Sequence, residues 1–112
     1  VERVRSGSHE HYDDPQMEYI STEYWDYLWP RQTFGLRKLQ RLAKKALPKV
    51  QGRVLTVVSE ADWTVPPTVA PLVQRLSREA HCETVLLQDS GHVLTRGSEA
   101  ERVIQESVRF LE

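Results

Sequence analysis

A chain of 112 residues is about one small domain with a single modest core. Its 15 basic and 16 acidic side chains leave a formal charge of −1, which argues against the basic surface of a nucleic-acid binder and against any strong pull towards an anionic membrane. No apolar run approaches the roughly 20 residues needed to span a bilayer. The single cysteine, Cys82, cannot close an internal disulfide, so a cytoplasmic setting is expected. The first residue is Val1 and no charged, apolar leader follows it, so any targeting segment is expected upstream.

Residues 1–14 are polar and without periodicity, the composition of a loop or the tail of another element. Pro15 suits a first helical turn and Asp14 before it can cap. Met17, Ile20, Tyr24 and Leu28 then keep helical spacing until Pro30 stops the run. The stretch 12–34 holds all four tyrosines and two of the three tryptophans, the density of a covered surface or a pocket wall. A second helix is predicted from about Gly35 to Leu47, where Leu36, Leu39, Leu42, Ala43 and Ala46 share a stripe and Pro48 ends the pattern.

"RVLTVVS", residues 53–59, is an apolar, β-branched run with little alternation, the pattern of a strand buried on both faces of a parallel sheet. The loop "EADWTVPP" leads to a helix predicted from about Pro67 to Ala80. "TVLLQ", residues 84–88, reads as a second buried strand. After the loop carrying His92, Ser98 is the expected cap of a last helix, with Glu101 three residues on and a stripe of Val103, Ile104, Val108 and Leu111.

The order helix, helix, strand, helix, strand, helix is that of an α/β protein with parallel strands. Two buried strands do not make an independent sheet. The chain is therefore expected to be the C-terminal portion of a larger doubly wound, mostly parallel sheet. Ligands and catalytic groups gather at the C-terminal ends of such strands. There the first loop offers Glu60, Asp62 and Trp63, and the second Asp89, Ser90 and His92. A carboxylate and a histidine at the ends of neighbouring strands can meet. The carboxylate then fixes the ring tautomer and stabilises the imidazolium when the other nitrogen takes a proton.

"VLTVVSEADWTVPP" and "VLLQDSGHVLTRGSEAERVIQESVRFLE" resemble the acid strand and loop, and the histidine turn and closing helix, of the α/β-hydrolase fold. The similarity is greatest to small bacterial carboxylesterases and monoacylglycerol-lipase-like enzymes. It covers residues 33–112, as the C-terminal part of the core, while residues 1–32 correspond only in position to the end of a cap or lid. The resemblance implies a serine hydrolase acting on carboxylic esters, with Asp62 as triad acid and His92 as general base. It implies substrate contact at Trp63, Val93 and Leu94, no cofactor or metal, and a small acyl ester as substrate.

Such hydrolases run nucleophile, acid, histidine along the chain, yet no G-x-S-x-G occurs here. Ser6 and Ser8 flank Gly7 in "RSGSH" without the strand and helix an elbow requires. The upstream part of the same fold is therefore an expected partner, holding nucleophile and oxyanion hole. An alternative is a non-catalytic remnant or interaction half that pairs with another chain through a sheet edge.

Plainer readings stand beside these. Asp62 can simply cap the turn into the next helix, and His92 can be an ordinary loop histidine. Glu60 is a less favoured acid, and Asp89 is expected to order the histidine turn by binding nearby amides. "HEHYDD", residues 9–14, is a weak metal pattern with no second cluster, and Cys82 reads as an idle thiol.

Overall fold

A computed structural model describes residues 30–112, together with the backbone of two short segments before them. The chain divides into two compact units, Val1–Lys45 and Ala46–Glu112.

In the first unit, β1 (Val4–Arg5) pairs antiparallel with β2 (Tyr27–Leu28), Val4 opposite Leu28 and Arg5 opposite Tyr27. The helix predicted from Pro15 lies mostly outside the described residues, but its last two positions, in β2, are extended rather than helical. The next helix, α1 (Pro30–Ala46), starts five residues before the predicted Gly35. Pro30, read above as a stop, is instead a start, because a first-turn proline has no helical N–H to lose. Lys44 and Lys45 in the last turn suit the negative end of the helix dipole. Phe34, Leu36, Leu39 and Leu42 are exposed.

The second unit is a β-α-β-α arrangement. β3 (Gly52–Ser59) and β4 (Ala80–Leu87) pair in parallel through eight positions, from Gly52 opposite Ala80 to Ser59 opposite Leu87. Gly52 opens β3 at φ 88°, a left-handed conformation that a side chain would strain. The crossover helix, α2 (Val69–Leu76), packs on β3. It ends four residues short of the predicted Ala80, and β4 begins four residues ahead of the predicted Thr84. The reason is tertiary: residues 80–83 complete the ladder opposite Gly52–Leu55, and that pairing takes them from the helix. Ser77 breaks α2 at φ −83°, ψ 65°.

Paired residues share a face. Leu55, Val57 and Leu94 pack against the buried cluster of Val85, Leu87 and Val103, the last from α3 (Ala100–Leu111). Burying a side chain the size of Leu87 stabilises by roughly 2 kcal/mol. On the other face Val58 is buried, while its neighbours across the ladder, Thr84 and Leu86, are exposed. The expectation that the second strand is buried on both faces is therefore corrected for β4, whose burial alternates.

The stripe expected on the last helix is also displaced. Val103 alone of its four residues is buried, with Ser107 and Phe110 half-buried, and Ile104, Val108 and Leu111 are exposed. A charged clasp ties the end of this helix to the two strands. Glu83 binds Arg53 at 3.2 Å and Arg109 at 3.0 Å, Arg109 also reaches Glu106 at 2.8 Å, and the Arg53 guanidinium lies 4.3 Å from the centre of the Phe110 ring. The two arginines hold the Glu83 carboxyl below its ordinary pKa. Among the described residues no helix is long and apolar enough to cross a membrane.

Candidate active site

Parallel pairing in register brings the C-terminal ends of β3 and β4 side by side. One bond continues beyond the strands, from the Glu60 N–H to the Leu87 carbonyl at 3.0 Å. The chain then turns, the Asp62 N–H reaching the Ser59 carbonyl at 3.3 Å and the Ala61 N–H the Ser59 hydroxyl at 3.3 Å. Asp62 is thereby delivered to the edge where the β4 loop begins.

The two oxygens of Asp62 have separate tasks. Oδ1 accepts the N–H groups of Thr64 at 2.8 Å and Val65 at 2.9 Å, closing the turn before α2. Oδ2 faces His92 Nδ1 at 3.1 Å, across 30 residues of chain. The turn-capping reading and the histidine-holding reading of Asp62 are therefore both realised, on different atoms. The Asp62 side chain is only 7% exposed and that of His92 44%. Burial pushes the Asp62 pKa up, but the Val65 N–H, the His92 ring and the Thr64 N–H outweigh it and hold it below the ordinary carboxylate value. An ionised carboxylate can only accept, so Nδ1 carries the proton that points to Oδ2. A ring oriented in this way is the arrangement in which the other nitrogen can serve as a general base.

The histidine loop is organised by a residue the sequence reading passed over. Glu99 Oε2 accepts the N–H groups of Gln88 at 3.0 Å, Asp89 at 2.9 Å and Ser90 at 3.1 Å, and the Ser90 hydroxyl at 3.1 Å. Asp89 was expected to gather these amides. It enters as a donor instead, because its carboxylate sits at the start of the turn whose N–H groups converge on Glu99. Glu99 also displaces Ser98 as the N-cap position of α3, and no side-chain cap bond forms there, since its carboxylate is directed at β4. Those four donors, the Asp89 N–H foremost, hold its pKa low against the effect of burial. Ser90 is fully buried. A Cβ on Gly97 would lie 3.1 Å from both Cβ and Oγ of Ser90, so glycine permits the loop to close on itself there.

The remaining predicted residues are spread out. Trp63, beside the acid, is 93% exposed, and Val93 is half-buried. Leu94 is half-buried and packs against the core cluster. Glu60 is exposed and contributes its backbone to the strand ends. Cys82 is half-buried with its thiol 3.9 Å from the Ala80 carbonyl. Ser6, Ser8 and the "HEHYDD" stretch lie outside the described residues. Among those described, no three His, Cys, Asp or Glu side chains gather as a metal-binding group.

No known protein family, curated protein or solved structure matches the chain.

Proposed function

We propose that this chain is the C-terminal portion of an α/β-hydrolase-fold serine hydrolase acting on carboxylic esters, a cytoplasmic carboxylesterase or lipase-like enzyme. One observation carries the proposal: an ionised aspartate and a histidine, Nδ1 to Oδ2 3.1 Å, at the C-terminal ends of two adjacent parallel strands. The nucleophile and oxyanion hole would come from the part of the fold preceding these residues.

In that enzyme a serine hydroxyl attacks the acyl carbon while His92 Nε2 takes its proton. Collapse of the tetrahedral intermediate breaks the bond to the alkoxy group, which leaves as an alcohol with that proton. Water then attacks the acyl-enzyme, again giving a proton to Nε2, and the serine recovers it as the acid departs. Asp62 stays ionised throughout, orienting the ring and stabilising its cationic form.

The test is hydrolysis of a p-nitrophenyl ester by the chain joined to its upstream sequence. His92→Ala should reduce kcat on the order of 10⁴-fold, and undiminished turnover would rule the proposal out. The 112-residue chain alone should not be labelled by a serine-reactive phosphonate. A second reading, an interaction half that pairs with another chain, draws support from the exposed Ile104, Val108 and Leu111. A strand followed by G-x-S-x-G upstream decides for the enzyme, and a complete chain without one decides for the interaction half.

A further inference from the structure

The backbone that carries His92 has its own anchor. The His92 ring is 44% exposed, and where it stands depends in part on where the main chain places its Cα. The main chain there is held by a single carboxylate oxygen that receives three consecutive N–H groups, at Gln88, Asp89 and Ser90, and the hydroxyl of Ser90. Ser90 is fully buried, two residues before His92, and a Cβ on Gly97 would lie 3.1 Å from it. Residues 90–99 thus form a loop closed at its base by Ser90, Gly97 and Glu99, with His92 between them.

From this geometry we infer that Glu99 is a positioning residue for His92, setting the loop so that Nδ1 meets Asp62 Oδ2. A catalytic role for the ring rests on the hydrolase reading above; the positioning does not. Glu99 acts through the main chain at Gln88, Asp89 and Ser90 and through the Ser90 hydroxyl, and its other oxygen is turned to Arg102 at 3.4 Å. Removing the negative charge leaves four donors converging on a weaker acceptor, which loosens the exit of β4 and shifts the ring from its partner.

The ¹⁵N resonances of the His92 ring in the full-length protein report directly which nitrogen is protonated. In the parent chain the Nδ1–H tautomer should dominate. Glu99→Gln, with fold checked by far-UV circular dichroism, should lower the ratio of Nδ1–H to Nε2–H roughly tenfold, the scale of one hydrogen bond to a charged group. Ser90→Ala removes one of the four donors and should lower it about threefold, the scale of a neutral hydrogen bond. A folded Glu99→Gln with the parental ratio overturns the inference. If Glu99→Gln does not fold, Ser90→Ala decides, a shift towards Nε2–H supporting the inference and a parental ratio overturning it. Because ring protonation is read rather than turnover, failure of the hydrolase reading appears separately, as activity that survives His92→Ala.

Discussion

The loops leaving β3 and β4 are built on the same device, a carboxylate that gathers backbone N–H groups, yet they divide its labour differently. Asp62 takes amides two and three residues ahead of it on one oxygen and keeps the other for His92. Glu99 gives one oxygen to three N–H groups 9 to 11 residues behind it and to the Ser90 hydroxyl. The first carboxylate serves both the turn and the site, and the second serves the site only by way of the turn. Substitutions at the two positions should therefore separate activity from stability.

The largest effect is expected from Asp62→Asn in the complete enzyme. The amide oxygen can still cap Thr64 and Val65, so the fold should persist. The ring loses its ionised partner, and ester hydrolysis should fall on the order of 10⁴-fold, as wrong-tautomer variants of catalytic triads do. A loss under tenfold in steady-state assays would mean that the Asp62–His92 pair is not the working unit.

Glu99→Ala comes next and should appear as stability. Stranding the buried Ser90 donors and their neighbours should cost about 2–3 kcal/mol, read by urea unfolding of the full-length protein. An unchanged midpoint would place the strength of the loop elsewhere.

Acid should expose both carboxylates together. Their folded pKa values are lowered, so the native state binds fewer protons than the unfolded chain near pH 4. The stability they confer is complete above the ordinary carboxylate range, about pH 5, and is lost as pH falls below it. Glu99→Gln should flatten this acid limb, and a limb as steep as the parent's would assign it to other groups, such as Glu83.

Smaller effects test the packing on either side. Gly97→Ala pushes a methyl group to 3.1 Å from Ser90 and should destabilise by about 1–2 kcal/mol. Trp63→Ala removes a side chain that is 93% exposed, and its stability should stay within about 0.5 kcal/mol of the parent. Any larger loss measured for Trp63→Ala would show that the indole is covered in solution.

What could be read from the sequence follows the same division between near and distant partners. β3 and the position of Asp62 were legible because a β-branched run and a D-x-T-V turn carry their own signals within a few residues. The early start of β4 was not. His81 and Glu83 look like loop residues until Gly52–Leu55 is beside them and Arg53 binds Glu83. Glu99 was hidden by its neighbours, because Ser98 and Glu101 match a capping box and drew the cap one residue upstream. Only the converging amides of Gln88, Asp89 and Ser90, which no local pattern announces, show what it does. Likewise the spacing of Val103, Ile104, Val108 and Leu111 marks an apolar side of α3, but Val103 alone of them is buried, and the Glu83 clasp that ties the helix end to the strands has no local signal.

That clasp makes the last turns of α3 sensitive to the solvent in a way the acid and histidine loops are not. Arg53 and Arg109 are about half exposed, so dissolved ions compete for them over a Debye length of about 8–10 Å near physiological ionic strength. The contact of Arg53 with Phe110 is partly sheltered by the ring. Raising the salt concentration should therefore fray the C-terminal end of the helix first, with faster amide exchange around Arg109 and Leu111. Gln88, Asp89 and Ser90, held together on the Glu99 carboxylate, whose side chain is 18% exposed, should exchange as before.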